Sequence, residues 1–335
     1  MRTVLILNPG SGASLLASNQ HSPQQKEEAI LEALRKQGIE PEVQYTTPEE
    51  SGRGLAQQAA AEGADLIIAA GGDGTLHAVA GGLVDTQSTL GILPMGTMNN
   101  IARSLKIPED LDEACHIIAN GATSLIDVGK MNDHIFLEVA GIGLEAALFP
   151  AAEEVKSKHW LSNIHGVFKG LGTLFSFQPT KYTVSFDGRR SRTFHAIQIS
   201  ICNSPFYGAR LQFAPNAVMD DGFLDVLIYK NFSKLDYLRH AISISQGRRA
   251  LATKVTQRKI KTLHVDAALA VDVHADGVPK GHTPVSISIQ SSVLHVRVPE
   301  KTATGPNLKQ PENKRQTQKA QQDRLLEEKG PMHVQ

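Results

Sequence analysis

The sequence predicts an α/β domain followed by an all-β sandwich, and three observations support this architecture. Strand and helix patterns alternate over residues 1–128, which is typical of a mostly parallel sheet with helices on its faces. Over residues 129–300 the apolar runs are short, rich in β-branched residues and separated by turn signals, which is typical of a β-sandwich. Residues 301–335 hold few apolar side chains and much Gln, Lys and Glu, so we expect a disordered tail.

Each element of the first domain follows from its own periodicity. Continuous apolar runs predict buried strands, whereas apolar residues spaced three and four apart predict helices with one buried face. The predicted strands are Val4–Leu7, Val43–Thr46, Asp65–Ala70 and Leu90–Leu93. The predicted helices are Gln25–Lys36, Gly54–Ala61, Thr75–Leu83 and Asn99–Leu105.

In the second domain, turn dipeptides such as Asp187-Gly188 separate the predicted strands. These strands are Ile135–Val139, Tyr182–Phe186, Ala196–Cys202, Leu224–Tyr229, Leu263–Val265, Val285–Ile289 and Val293–Val298. A helical insertion is predicted at residues 151–177, where Trp160, Ile164 and Phe168 share one helical face and lysines flank them. This helix either meets anionic lipid headgroups and admits an acyl chain, or it caps the β domain with an ordinary apolar stripe.

Composition and charge exclude several classes of protein. The 34 basic and 34 acidic side chains balance, so no global positive field favours nucleic-acid binding. Two cysteines without a CxxC pair argue against a disulfide scaffold and against a cysteine-based zinc site. No apolar run reaches the length needed to span a bilayer. We therefore expect a cytoplasmic protein whose contact with lipid is peripheral, at the inner face of the membrane.

Three glycine-rich turns follow predicted strands and point to one phosphate site. Parallel strands bring ligands to their carboxyl ends, where glycines permit close backbone approach and helix N-termini favour negative charge. Ser11, Thr75 and Thr97 add hydroxyl donors, while Asn8 and Asn99 either fix the turns or hydrogen-bond a nucleotide. Neither a P-loop nor a GxGxxG after the first strand is present, which argues against P-loop NTPases and dinucleotide oxidoreductases. The turns are Asn8-Pro9-Gly10-Ser11-Gly12, Gly71-Gly72-Asp73-Gly74-Thr75 and Pro94-Met95-Gly96-Thr97-Met98-Asn99-Asn100.

Asp73 lies within the second turn and has two interpretations. A carboxylate repels phosphate unless a cation lies between them, so Asp73 could hold Mg²⁺ indirectly near nucleotide phosphates. Alternatively, its carboxylate accepts backbone N–H bonds and shapes the turn. The residues alone leave both interpretations open.

These turns, together with motifs further along the chain, resemble the diacylglycerol kinase catalytic domain. The resemblance is to its soluble bacterial lipid kinase branch, which is related to sphingosine and ceramide kinases. It implies a nucleotide domain like those of NAD kinases and phosphofructokinases, a β-sandwich, and ATP-dependent phosphorylation of a lipid hydroxyl, as on diacylglycerol. The matching stretches are residues 8–12, 71–83, 91–103, 126–129, 136–147, 214–226 and 276–277, so the resemblance covers about residues 2–298.

The resemblance also implies site residues. The nucleotide contacts of the family fall on Thr46 (or Thr47), on Gly71–His77, which includes Leu76 and His77, and on Thr97. The proton acceptor falls on Asp276, and Asp73 joins it as a residue needed for turnover. Without the resemblance, Asp276-Gly277 predicts a turn between strands 270–275 and 284–289, because Asp-Gly is a common turn dipeptide. ATP and Mg²⁺ are the implied cofactors, and a structural Mg²⁺ falls on the Asp221 carboxylate and the carbonyls of Val218 and Phe223.

Three positions depart from the family pattern and keep alternatives open. Val278 and Ala78 stand where the family has Glu, and Asn100 stands where it often has Asp. Fewer carboxylates leave room for a nucleotide- or lipid-binding regulator with weak or no kinase activity. An NAD kinase is a further alternative, because it shares Gly-Gly-Asp-Gly. The expected partner is a lipid substrate at a membrane surface and not nucleic acid, and a homodimer is left open.

Overall fold

The computed structural model describes residues 1–11, 22–148, 172, 174, 176–208, 211–230, 232–246 and 251–300. The predicted architecture is confirmed, since an α/β part with parallel strands precedes an antiparallel β-sandwich. None of the helices in these residues is long and apolar enough to cross a membrane. The tail at 301–335 and nearly all of the insertion at 151–177 lie outside the described residues, so both stay predictions.

The α/β part contains a parallel sheet in the order β2-β1-β3-β4. Its strands β1 and β3 are buried along their whole length, as the continuous apolar runs predict. The elements are β1 Thr3–Leu7, α1 Pro23–Lys36, β2 Glu42–Tyr45, α2 Arg53–Ala61, β3 Leu66–Gly71, α3 Asp73–Leu83, β4 Thr89–Pro94, α4 Asn100–Ser104 and α5 Leu111–Asn120.

Helix α5 was not predicted, although its signals are present in the sequence. Asp110 caps it by accepting the Glu113 backbone N–H at 3.0 Å. Ala114, Cys115 and Ile118 form its buried stripe at the expected spacing of three and four residues. The capping residue and the stripe together would have been sufficient to find this helix.

The sandwich forms between a six-stranded sheet, in the order β14-β13-β10-β7-β16-β17, and the β18-β15-β8-β9 half of the larger sheet. Its core includes Tyr182, Ile199, Val226 and Ile287, which are all buried. A helix at Lys234–Ser245 follows β13. The strands are β5 Ala122–Met131, β6 His134–Phe136, β7 Val139–Gly143, β8 Thr180–Phe186, β9 Arg192–Ala196, β10 Gln198–Cys202, β11 Phe206–Tyr207, β12 Leu211–Gln212, β13 Leu224–Tyr229, β14 Val255–Ile260, β15 Thr262–Ala267, β16 Asp272–Ala275, β17 Val278–His282 and β18 Val285–Val298.

The last strand links the two parts, and here the prediction was wrong. The two strands predicted at 285–289 and 293–298 are one strand, β18, whose register shifts between Gln290 and Leu294. Its first half pairs with β15 of the sandwich, and its second half pairs in parallel with β4. The predicted domain boundary at residue 128 lies inside β5, which pairs with β18 along much of its length. The division into domains therefore stays a prediction.

The strand pairing around Asp276-Gly277 also differs from the expectation. The turn joins β16 to β17, rather than segments 270–275 and 284–289. Strand β5, strand β14 and the helix Lys234–Ser245 were not predicted. Strand β14 has the sequence Val-Thr-Gln-Arg-Lys-Ile and lies at the edge of its sheet. Its four consecutive polar residues are exposed, so the strand lacks the apolar pattern from which strands are predicted.

Candidate active site

Asn8 connects the first glycine-rich turn to the second. Its Oδ1 accepts the Gly10 backbone N–H at 2.9 Å, which closes the first turn. Its Nδ2 donates to Thr75 Oγ1 at 2.9 Å, and Thr75 lies in the first turn of α3. Asn8 therefore fixes the turns through its side chain, which is one of its two predicted roles.

The second and third turns touch through their glycine backbones. A Cβ added to Gly96 would lie 2.6 Å from Gly72 Cα, which is far closer than carbon atoms pack. The Met95 backbone N–H donates to the Gly71 carbonyl at 2.9 Å and continues the β3–β4 ladder into these turns. The close approach explains why both positions are glycine.

Asn99 holds the third turn closed. It adopts a left-handed conformation with φ of 52°, which Asn tolerates better than most residues. Its Oδ1 accepts the Gly96 backbone N–H at 2.8 Å, and its Nδ2 donates to the Gly96 carbonyl at 2.9 Å. Of the two predicted roles for Asn99, the geometry corresponds to fixing the turn.

An open cleft of about 720 Å³ lies over the first two turns. Its walls also include Thr46 and Thr47 at the end of β2, next to Pro48 and Ser51. The N-terminus of α3 opens onto the cleft through Gly74 and Thr75, so backbone N–H groups and the helix dipole favour an anion there. Seven residues of the predicted nucleotide site line this cleft, namely Asn8, Gly10, Ser11, Thr46, Gly72, Gly74 and Thr75.

The other predicted nucleotide residues lie outside the lining of this cleft. Gly71 and Leu76 are buried and belong to the packing beneath it. Asp73, His77, Thr97 and Asn99 lie in the adjoining turns and in α3. Contact of any of these residues with a nucleotide stays a prediction.

Asp73 is half-buried at the start of α3 and faces the short helix α4. Its carboxylate accepts the Ile101 backbone N–H at 3.2 Å. Burial raises the pKa of Asp73, while backbone N–H groups at residues 99–101 oppose this rise and the nearby Asp276 carboxylate adds to it. The contacts correspond to the second interpretation of Asp73, in which it accepts backbone bonds and shapes the turn. An indirect Mg²⁺ contact stays a prediction.

Asp276 sits at the tip of the β16–β17 turn with φ of 46°. Its carboxylate accepts three backbone N–H groups, from Leu137 at 2.7 Å and from Glu138 and Val139 at 2.9 Å each. These bonds fix the orientation of a side chain that is only 9% exposed. A turn residue that merely reversed the chain would not need this set of donors.

Asp276 meets the α/β part through His77. His77 Nε2 lies 3.5 Å from Asp276 Oδ2 and 3.2 Å from the carbonyl oxygen of Ile135. Because His77 is on the first turns of α3, the carboxylate on the sandwich lies beside the helix that begins at the glycine turns. The structure therefore brings one residue of the predicted nucleotide site, His77, next to the predicted proton acceptor.

Comparison with known proteins agrees with this geometry. Residues 2–131 match the family model of the diacylglycerol kinase catalytic domain, and residues 139–298 match that of the YegS C-terminal NAD kinase beta sandwich-like domain. The chain belongs to the diacylglycerol kinase catalytic-domain family. The resemblance found in the sequence motifs is thereby confirmed.

Curated relatives are similar to most of the chain, and solved structures share its fold. A diacylglycerol kinase of Bacillus subtilis (strain 168) is 29% identical over 307 residues, which cover 90% of this chain and 98% of the relative. A diacylglycerol kinase of Staphylococcus aureus (strain JH9) is 29% identical over 292 residues, which cover 85% of this chain and 88% of the relative. A crystal structure of a diacylglycerol kinase from Bacillus anthracis (strain Sterne) shares the fold, with a TM-score of 0.69 and 22% identity. The match covers 90% of this chain and 98% of that structure.

In the loop where the family resemblance implies a structural Mg²⁺, a lysine of this chain neutralises the charge of the Asp221 carboxylate. Asp221 Oδ2 pairs with Lys259 Nζ, and Asp221 Oδ1 accepts the Phe223 backbone N–H at 3.0 Å. Lys259 Nζ also lies 3.6 Å from Asp225 Oδ2. Partial burial lowers the pKa of Lys259, but the two carboxylates raise it overall, so the ammonium is retained.

These contacts do not fit a Mg²⁺ ion unless Lys259 moves away. Within the described parts of the chain, no group of three or more His, Cys, Asp or Glu side chains is arranged to hold a metal. Val218, Asp221 and Phe223 as ligands therefore stay a prediction. Asp127 stabilises this loop instead, because it accepts the Gly222 N–H at 2.6 Å and the Ser292 N–H at 2.8 Å.

Sequence reasoning missed two contacts that support the site. Asn100 Nδ2 donates to Glu138 Oε2 at 3.1 Å and to the Gly208 carbonyl at 3.0 Å, which joins the third turn to the sandwich. His274 Nδ1 accepts the Gly277 backbone N–H at 3.3 Å beneath the Asp276 turn. The spacing of these residues in the sequence does not predict that they pair. The sequence did single out Asn100, but only as a position that departs from the family pattern.

We expect Thr75→Val to weaken ATP binding about tenfold. The change keeps the side-chain volume but removes the acceptor for Asn8 Nδ2, which leaves a partly buried donor unsatisfied at a cost of about 1–3 kcal/mol. Thr86→Val is the matched control, since it removes a hydroxyl that donates to the Leu83 carbonyl at the far end of α3. Titration calorimetry with ATP measures the effect. Unchanged affinity in Thr75→Val would show that this contact does not organise the cleft.

Proposed function

We propose that this protein is an ATP-dependent lipid kinase that phosphorylates a hydroxyl group of diacylglycerol or a related lipid. The observation that carries this proposal is the meeting of Asp276 with α3, seen in the 3.5 Å separation of Asp276 Oδ2 and His77 Nε2. A fixed carboxylate thus lies beside the helix that begins at the phosphate-binding turns, and transfer to a hydroxyl requires a proton acceptor near the phosphates. The names of the curated relatives support the same activity.

The chain's residues divide the reaction between binding and proton transfer. The first two turns and the N-terminus of α3 bind the phosphates of ATP, while Thr46 and Ser11 line the same cleft. Mg²⁺ that arrives with ATP supplies charge neutralisation. The lipid hydroxyl is oriented by Asp276, whose carboxylate is held by the backbone N–H groups of residues 137–139.

The chemical step is an in-line displacement. The hydroxyl oxygen bonds to the γ-phosphorus of ATP as the bond between that phosphorus and the bridging oxygen breaks, so ADP leaves. The hydroxyl proton passes to Asp276. Because the transition state is loose, positioning and electrostatic stabilisation supply most of the rate, with little covalent work for the protein. A site made of rigid turns and one fixed carboxylate is suited to positioning the phosphates and the hydroxyl for this reaction.

A radiolabel assay tests the proposal. The full chain is incubated with γ-labelled ATP and Mg²⁺ over diacylglycerol, triacylglycerol, sphingosine, ceramide and NAD. We expect label in diacylglycerol or a related hydroxyl-bearing lipid, and none in triacylglycerol, which has no free hydroxyl. ATP binding without transfer to any lipid would instead favour the regulator suggested by Val278 and Ala78. Label in NAD alone would favour an NAD kinase.

A further inference from the structure

The helix Lys234–Ser245 has two faces, and one of them is packed against the sandwich. Tyr237 lies 6.4 Å from the Tyr229 ring in an edge arrangement. His240 lies 5.6 Å from the rings of both Tyr229 and Phe232, and Ile244 is buried. Spaced three and four residues apart, Tyr237, His240 and Ile244 form a single inward stripe. These contacts hold the helix in a fixed orientation.

The opposite face exposes a second apolar stripe. Leu235 is 59% exposed, Leu238 38% and Ile242 49%. Their spacing of three and four residues places them in one row, about half a turn of the helix away from the inward stripe. Three of the ten exposed large apolar side chains among the described residues therefore lie within eight residues of one helix. A cluster of this kind, unlike scattered apolar residues, marks an interaction surface.

Within the helix, the exposed charged side chain beside this stripe is basic. Arg239 is exposed and lies one turn from Leu235 on the same side of the helix. The only carboxylate in the helix, Asp236, is engaged in the N-terminal cap with Ser233 and in an ion pair with Lys254 at 2.9 Å. Hydrogen bonding to Lys254 lowers the pKa of Asp236 to about 2. Two further arginines, Arg248 and Arg249, follow the helix in the sequence.

The helix is connected to the acceptor carboxylate by one hairpin. It packs against β12, which pairs with β11 through Tyr207 and Leu211. The Tyr207 ring stacks on His274 with a centroid separation of 5.7 Å. His274 in turn accepts the Gly277 N–H below Asp276. A surface that holds this helix is therefore connected, through packed side chains, to the turn that carries Asp276.

We propose that Leu235, Leu238 and Ile242, with Arg239 beside them, dock the protein on the surface of an anionic lipid bilayer. An apolar row flanked by basic groups is the pattern of a helix that lies in the headgroup region. A bilayer suits this face better than a second copy of the chain, because a symmetric contact would place both copies of Arg239 in the interface while the carboxylate of the helix, Asp236, is already engaged. The inference rests on the proposed function, since it names the surface from which that site takes its lipid.

Vesicle binding in the absence of ATP tests the docking surface. The full chain is sedimented with vesicles of phosphatidylglycerol and phosphatidylcholine, and with phosphatidylcholine alone. We expect the triple variant Leu235→Ser, Leu238→Ser, Ile242→Ser to lose at least tenfold in partitioning, since its apolar anchors are gone. Arg239→Glu should lower partitioning about fivefold on the anionic vesicles only, because one basic side chain contributes about that much at an anionic surface. Leu125→Ser, on strand β5, is the control for removing an exposed apolar side chain.

The outcomes separate this inference from the proposed kinase activity. Loss of binding by the triple variant, with unchanged activity on a water-soluble short-chain diacylglycerol, supports the docking surface. Partitioning of the triple variant equal to that of the wild type overturns it. A variant that becomes monomeric from a dimer while still binding vesicles also overturns it, and assigns the face to a second copy. Absence of kinase activity on every lipid would contradict the proposed function while leaving the vesicle result to decide the docking surface.

Discussion

Asp276→Asn is expected to lower kcat by about 10²–10⁴-fold while leaving the affinity for ATP unchanged. This range is the usual contribution of one general base, and a neutral amide cannot take the hydroxyl proton. Asparagine keeps the shape of the side chain and tolerates the left-handed conformation with φ of 46°. Its oxygen can still accept the N–H groups of Glu138 and Val139. Single-turnover kinetics with labelled ATP measures the chemical step, and calorimetry measures ATP binding.

The same substitution should also cost some stability. The Asn amide nitrogen would face the Leu137 backbone N–H, so two donors would meet at a place where the carboxylate accepts at 2.7 Å. We expect a loss of about 1–3 kcal/mol in the free energy of unfolding, and a larger loss in Asp276→Ala, which leaves three N–H groups without an acceptor.

A neighbouring carboxylate provides the control for Asp276→Asn. Asp272→Asn lies on the same strand, is about half exposed, and pairs only with His282 at the surface. It should retain wild-type turnover and stability. If Asp276→Asn turned over at the wild-type rate, Asp276 would not be the proton acceptor, and its three backbone bonds would reflect a purely structural turn.

Apart from α5, the sequence was sufficient for the order of elements in the α/β part and for the convergence of its turns. Each apolar strand ends in its glycine turn, and a parallel sheet brings such ends to one edge by topology alone. The residues that line the cleft, from Asn8 and Gly10 to Thr75, follow from that rule. Asp276 could be placed only through the family resemblance, because Asp-Gly by itself indicates no more than a turn.

What escaped prediction depends on contacts between distant parts of the chain. The continuity of β18 is decided by its pairing with both β4 and β15, which the local sequence around Ser292 does not reveal. The pairing of Lys259 with Asp221 is set by the register of β13 and β14, where Asp225 lies opposite Lys259. Likewise, the bond from Ile101 to Asp73 arises because α4 folds back over the second turn. Local patterns carry no information about such pairings.

Gly96→Ala should have the second large effect, because it separates the two turns that touch through glycine. The added methyl group would lie 2.6 Å from Gly72 Cα, which cannot yield without moving the backbone, and 2.9 Å from Asn99 Oδ1, the side-chain atom that accepts the Gly96 N–H. Overpacking of this kind costs about 1–3 kcal/mol. Because Gly72 lines the cleft, its displacement should also weaken ATP binding by at least tenfold, a change equivalent to about 1.4 kcal/mol.

Gly74→Ala shows whether the effect arises from the contact or merely from losing a glycine. Gly74 lies in the second turn, and a Cβ added there would meet no atom within 4 Å. Its thermal stability should equal that of the wild type, whereas the midpoint of Gly96→Ala should fall by several degrees in the same melt. If Gly96→Ala instead melted and bound ATP like the wild type, the third turn would be free to move relative to the second. The cleft would then not depend on the contact between their backbones, and the close packing of Gly72 on Gly96 would have no part in holding the phosphates.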